Sequence, residues 1–92
     1  MTLTKAKIVD EVASGGFSRK KAVDLVENLL ETIKGRLEAG EDVLISGFGK
    51  FSVREKKKRK GRNPASGEDM ILDARRVVTF KCSSVLRERI NR

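Results

Sequence analysis

Seven cationic side chains crowd the stretch from Arg54 to Arg62: Arg54, Lys56, Lys57, Lys58, Arg59, Lys60 and Arg62, with Glu55 the one acid among them. Groups of this kind neutralise anions, and an anion that engages them together must itself be extended and repetitive. If about six met phosphates, log affinity would fall with log salt at a slope of about −5. Contacts of that kind give affinity without sequence choice. A solvated basic tail would show the same composition. This run, however, lies in mid-chain, immediately before a turn cluster and a β-prone return through Met70, Ile71 and Leu72.

The turn cluster is Asn63-Pro64-Ala65-Ser66-Gly67. Pro64 fixes φ at the second turn position, Asn63 hydrogen-bonds onward to the backbone, and Gly67 accepts a positive φ. The two limbs are long enough to pair as a ribbon, and the outgoing one has almost nothing apolar to bury. Such a ribbon is not stable by packing on its own domain, so it is expected to project into solvent and meet a polyanion. Pro64 at its tip is either a turn former alone or a rigid apolar wedge able to enter a base step. Beside it, the Arg62 guanidinium and the Asn63 amide suit the negative potential and degenerate acceptors of a minor groove.

Other chemistries find no support. The chain has no His, Trp or Tyr, and Cys82 is its one cysteine, which excludes an internal disulfide and leaves almost nothing to ligate a metal. Cys82 reads as a small buried filler. Glu68, Asp69 and Asp73 read as ribbon solvation. Gly47 and Gly49 bracket a turn in which exposed backbone N–H groups beside Ser46 could hold a phosphate, without the glycine spacing of a nucleotide-binding loop. Ser83 and Ser84 are helix-start residues, where a phosphate could share the terminus. No nucleophile or acid–base pair is visible. An enzyme is a poor reading, and no cofactor or small-molecule substrate is implied.

These residues need a body to position them. Thr4 to Ala13 has the spacing of a short helix, broken by Ser14-Gly15-Gly16. Ser18 caps a longer helix in which Ala22, Leu25, Val26, Leu29, Leu30, Ile33 and Leu37 form one apolar stripe, with Gly40 as its left-handed stop. Val43-Leu44-Ile45 reads as a short buried strand, Lys50 to Val53 as a second and Val77 to Phe80 as a third, before Ser83 opens a short final helix. The expected fold is α+β: two N-terminal helices, a three-stranded antiparallel sheet with a long projecting ribbon, and a short C-terminal helix. All 92 residues form one domain, with 1–53 and 76–92 as body and 54–75 as arm.

Charge and size agree with that division. Residues 1–49 hold 7 Lys/Arg against 8 Asp/Glu, residues 50–81 hold 11 against 4, and residues 82–92 hold 3 against 1, within a net charge of +8. Setting aside roughly 20 residues of arm leaves a body of about 70, where a single core is marginal and a staple or a partner chain is needed. With no disulfide or metal to serve, oligomerisation remains. The long stripe is therefore either ordinary core or core shared across a dimer. No apolar run is long enough to span a membrane, and a reducing cytosol or nucleoid is the simplest compartment.

Ser-Gly-Phe-Gly-Lys-Phe at 46–51, Gly-Arg-Asn-Pro-Ala-Ser-Gly-Glu at 61–68 and Arg-Arg-Val-Val-Thr-Phe at 75–80 resemble the bacterial histone-like HU and integration host factor family. The resemblance covers essentially the whole chain. Leu3-Thr4-Lys5 and Ala74 to Phe80 resemble the integration host factor α subunit more than HU. Cys82-Ser83-Ser84 departs from the Pro-Gly usual there in the α subunit, and the Lys56 to Lys60 run is more basic than its arm.

What the resemblance implies is an intertwined dimer, with itself or with a related β-type subunit, whose arms embrace double-stranded DNA from the minor-groove side and bend it. By matching position Pro64 would intercalate, with Arg59, Arg62 and Asn63 along the groove. Arg54, Lys56, Lys57, Lys58, Lys60, Arg75, Arg76 and Lys81 would support the DNA contact. Lys5, Ser46, Gly47, Ser83 and Ser84 would clamp phosphates on the body flank. Leu25, Leu29, Leu30, Ile33, Leu37, Phe48, Phe51 and Phe80 would form the dimer core. Such a protein would organise the nucleoid and assist recombination, transcription and replication complexes.

An HU-like, non-specific homodimer stays open beside the α-like reading. An RNA-binding module would also be small and basic, but Phe17, Phe48, Phe51 and Phe80 read as core rather than as stacking platforms. A pure protein-interaction subunit explains the long apolar helix and leaves the arm's charge without a use.

Overall fold

The computed structural model describes residues 1–92. Three helices, α1 (Lys5–Ser14), α2 (Arg19–Glu38) and α3 (Ser84–Ile90), flank five strands: β1 (Val43–Ile45), β2 (Gly49–Lys56), β3 (Arg59–Arg62), β4 (Asp69–Leu72) and β5 (Arg75–Cys82). The strands form an antiparallel sheet ordered β1-β2-β5 and a separate β3–β4 hairpin beyond it. The α+β order expected from the sequence holds. Ser14 is the last residue of α1 rather than its breaker. The second and third strands run well past the expected limits, because each continues into the ribbon.

The helix ends are set by side chains read from the sequence. Thr4, Ser18 and Ser83 each accept a hydrogen bond from the backbone N–H three residues on, at 3.3, 3.2 and 3.1 Å. At the end of α2, the Gly40 N–H donates to the Leu37 carbonyl at 3.0 Å and the Glu41 N–H to the Arg36 carbonyl at 2.9 Å. That paired closure requires a left-handed residue, and Gly40 has φ +86°. The edge of the sheet is finished by a side chain: β1 is too short to reach Val53, so the Asp42 carboxylate accepts the Val53 N–H at 3.0 Å.

Little of this is buried. Val9, Ala22 and Val26 form the apolar core, with Ile8, Val12, Ala13 and Leu30 packed against them. Gly49 is buried at the sheet. Val43-Leu44-Ile45, expected to be buried, is largely open, and Leu44 is 74% exposed. Phe48, Phe51 and Phe80 cluster at ring separations of 4.8 to 6.4 Å, yet Phe17, Phe48 and Phe80 all stand exposed in this chain. Cys82 is half-buried. A compact chain of 10.3 kDa would have a radius of gyration of about 12 Å and an accessible surface of about 5,400 Å². This one has 18.6 Å and 7822 Å², with a longest dimension of 57 Å.

Two glycines test the packing in opposite directions. A Cβ at Gly49 would lie 2.5 Å from Cζ of Phe80 and 2.6 Å from the Lys81 carbonyl oxygen, so nothing larger fits between the strands. A Cβ at Gly35, inside α2, would meet nothing within 4 Å. Gly49→Ala is expected to cost about 1–3 kcal/mol by overpacking, and Gly35→Ala to add about 1 kcal/mol through helix propensity. Urea denaturation of the two variants beside the parent checks both signs.

Candidate nucleic-acid interface

The register sorts the cations by face. Residues directly opposite in an antiparallel ladder share a face, and alternate residues along a strand do likewise. Lys50↔Lys81, Ser52↔Thr79, Arg54↔Val77 and Lys56↔Arg75 therefore lie on one face of the β2–β5 ladder, with Leu44 opposite Lys50 on β1. Phe51↔Phe80, Val53↔Val78 and Gly49↔Cys82 occupy the other. The first face carries five cations and no acid. Two of its cross-strand pairs are cation against cation, an arrangement that opposes pairing unless an anion intervenes. Only Lys50 has a partner, Asp42, at 3.6 Å.

The ladder ends at Lys56↔Arg75 and resumes at Arg59↔Leu72, leaving Lys57, Lys58, Asp73 and Ala74 without ladder pairs. In the outer hairpin, Lys60 and Arg62 share a face with Ile71 and Asp69, and Lys60 is ion-paired to Asp69 at 3.1 Å. Gly61 lies between Arg59 and Met70 on the opposite face, where a Cβ would stand 3.2 Å from Cδ1 of Leu72. The absent side chain keeps the hairpin thin.

The tip is internally braced. The Asn63 N–H donates to the Glu68 carbonyl at 2.8 Å, the Gly67 N–H to the Asn63 carbonyl at 2.7 Å, and the Ala65 N–H to Oδ1 of Asn63 at 2.9 Å. Gly67 has φ +73°. Pro64 stands exposed at the turn, and the half-buried Asn63 holds the loop through its amide oxygen, leaving its NH₂ without a hydrogen-bond partner in the chain.

At the root, Phe48 N–H closes a tight turn on the Ile45 carbonyl at 3.0 Å, with Gly47 at φ +77°. The Ser83 N–H donates to the Phe48 carbonyl at 2.8 Å, which ties this turn to the start of α3. The Ser83 hydroxyl already caps α3. Ser84, Lys81, Lys50 and Arg87 line a shallow groove with Leu44 on the cationic face.

Of the residues singled out from sequence, the sheet brings Arg54, Lys56, Arg75 and Lys81 onto one face beside Ser83 and Ser84. Lys57 and Lys58 fall in the ladder break, while Arg59, Lys60, Arg62, Asn63 and Pro64 belong to the outer hairpin. Arg76 is separated from Arg75: it faces the other way, and its Nη1 would lie 3.4 Å from a Cβ at Gly40, by the end of α2. Lys50 and Arg87 join the cationic face without having been singled out. The alternation Lys50-x-Ser52-x-Arg54-x-Lys56 is the signal that marks Lys50.

Lys5 is engaged elsewhere, in an ion pair with Glu27 at 2.7 Å that links α1 to α2. The hydrogen bond and charge of this pair hold the Lys5 ammonium above its ordinary 10.5 and the Glu27 carboxyl below its ordinary 4.5. The Glu27 contribution to stability is therefore present above pH 4.5 and lost as pH falls through its lowered folded value. The Lys5 contribution is present below pH 10.5 and lost as pH rises through its raised one. Carboxyl-resolved NMR titration is expected to find Glu27 titrating below 4.5, and Lys5→Met to return it towards that value. An unchanged midpoint in the variant would show that Lys5 is not the cause.

A small α+β body whose cationic sheet face runs out along a two-stranded arm defines a class of arm-bearing proteins that engage polyanions. The chain belongs to the bacterial DNA-binding protein family, the HU and integration host factor family, whose model matches residues 3–91. It is 52% identical over 90 residues to the integration host factor α subunit of Anaeromyxobacter sp. strain Fw109-5, covering 97% of this chain and 91% of that one. The α subunit of Glaesserella parasuis is 48% identical over 91 residues, covering 98% and 93%. In structure the chain resembles Anabaena HU cocrystallised with DNA, with a TM-score of 0.83, 37% identity and coverage of 96% and 97%. An HU variant from Thermotoga maritima gives a TM-score of 0.68 at 28% identity, covering 96% and 99%. The resemblance read from the three sequence blocks thus holds over nearly the full length. No helix is long and apolar enough to cross a membrane.

Proposed function

We propose that this protein is an architectural DNA-binding protein of the nucleoid, which lies along the minor groove with its arms and bends the duplex at Pro64. The observation that carries the reading is the cationic ladder. Lys50 against Lys81 and Lys56 against Arg75, with Arg54 between, concentrate like charge along one face that leads into the ribbon. A phosphate backbone relieves that repulsion and releases its own counterions on doing so. The braced turn supports the tip's role: it presents Pro64 and the Asn63 NH₂ in a fixed arrangement, one as wedge and the other as donor to minor-groove acceptors.

Arg59 and Arg62 are assigned to the groove and Lys56, Lys57, Lys58 and Lys60 to phosphates. Lys81, Ser46, Gly47, Ser83 and Ser84 act at the root, with Lys50 and Arg87 added to them. Lys5 reaches a phosphate only by leaving Glu27. Two arms embrace the duplex in a dimer of this chain with a second copy or with a related β-type subunit. Leu25, Leu29, Leu30, Ile33 and Leu37 of α2 and the phenylalanine cluster form its core. Unstacking a base step costs a few kcal/mol, offset by the backbone contacts that a bent duplex permits.

Bending and charge are separable in one experiment. End-labelled duplex of about 35 base pairs, long enough at 3.4 Å per step to report a bend, is expected to gain energy transfer when the protein binds. Pro64→Ala weakens that gain and leaves the salt slope of binding unchanged. Replacing Lys56 and Arg75 with Gln flattens the slope by about 2. Binding with no gain in transfer by the parent protein would sink the bending role.

A further inference from the structure

We infer that Leu44 selects the sugar: set among the cations at the root of the arm, it gives deoxyribose an apolar seat and turns away a backbone that carries a 2′-hydroxyl. The inference rests on the DNA-binding reading above and adds to it a choice between DNA and RNA.

A single exposed leucine needs no explanation by itself; the position of this one does. Leu44 is 74% exposed and lies opposite Lys50, which lies opposite Lys81, so one row across the three strands reads Leu44, Lys50, Lys81. Its neighbours on β1, Val43 and Ile45, pair with Phe51 and Gly49 on the phenylalanine face. The register therefore keeps Leu44 out of the apolar core assigned to the dimer. It is the one large apolar residue left open on the cationic face of this sheet, since Val77, opposite Arg54, is half-buried. The groove around it adds Ser84 and Arg87 from α3.

Along a nucleic-acid strand each phosphate adjoins a sugar. Neighbouring β-strands lie about 4.8 Å apart, so Leu44 stands one spacing from Lys50, where the sugar next to a Lys50-bound phosphate falls. The face leads into an arm assigned to the minor groove, and the 2′-hydroxyl of ribose projects on that side. Deoxyribose presents carbon-bound hydrogens there, and its contact with Leu44 takes apolar surface out of water on both partners. A hydroxyl in the same place loses its water and needs an acceptor for its proton. Lys50, Lys81 and Arg87 only donate, and Ser84 is assigned to phosphate. The carboxylate at this edge, Asp42, is already held by the Val53 N–H and by Lys50.

The test titrates the full chain against two duplexes of one sequence. One is all DNA, and the other carries isolated ribonucleotides along both strands, too sparse to convert the duplex to A-form, which circular dichroism verifies. The parent is expected to bind the ribonucleotide-bearing duplex about tenfold more weakly. Leu44→Gln supplies an acceptor without changing charge, so it is expected to bring the two affinities within about twofold and to leave the salt slope on DNA unchanged. Leu44→Ile keeps the discrimination of the parent. Should Leu44→Gln not fold, Leu44→Thr takes its place, with a hydroxyl on a side chain that suits a strand. A parent that binds both duplexes equally, or a polar variant that discriminates as the parent does, would overturn the inference and leave DNA binding standing. No binding to the all-DNA duplex would overturn the reading beneath it, and the inference with it.

Discussion

The shortage of apolar surface that one chain buries governs everything else in this molecule. Val9, Ala22 and Val26 form its core, while Leu25 and Leu29 of α2 and the phenylalanines at 48 and 80 remain exposed. A body of this size with so small a core falls short of what offsets chain entropy. Its helices are accordingly well closed at their ends, with three side-chain caps and a glycine stop, and its sheet edge is finished by Asp42. These local devices define the shape of the body, and they leave its apolar face available.

Charge is distributed by the same logic. The helical half is nearly neutral and pairs Lys5, Arg19, Lys34 and Arg36 with its own carboxylates, whereas the strands gather cations on the face away from the phenylalanines, where Lys50 alone has a carboxylate partner. Alternation along β2 and β5 does this sorting with no extra structure: odd positions of one strand and even positions of the other supply the apolar face, and their neighbours supply the cationic one. Gly49 fixes the register at its tightest point, because only a hydrogen fits beneath the Phe80 ring.

Much of this was legible in the sequence. Thr4, Ser18, Ser83 and Gly40 mark the helix ends, and Asn63 to Gly67 makes the turn its residue types demand. What escaped was information about partners of residues, which composition does not carry. The apolar run at 43–45 looks buried, but β1 is an edge strand with nothing over Leu44. Arg75 and Arg76 look equivalent until the register sends them to opposite faces. Lys5 looks like a free cation until α2 brings Glu27 to it. Lys50 is visible in the sequence as one of four alternating polar positions along β2, but only the pairing with Lys81 puts it on the cationic face.

The interruption between Lys56↔Arg75 and Arg59↔Leu72 has a geometric consequence. Strands paired without a break share one twist, and the face they present turns at a rate set by that pairing. Two ladders joined through Lys57, Lys58, Asp73 and Ala74 are released from that condition. The outer hairpin is free to take a pitch of its own, so a track of charge that starts on the body can wind as it travels outward and match a helical polymer instead of running straight past it.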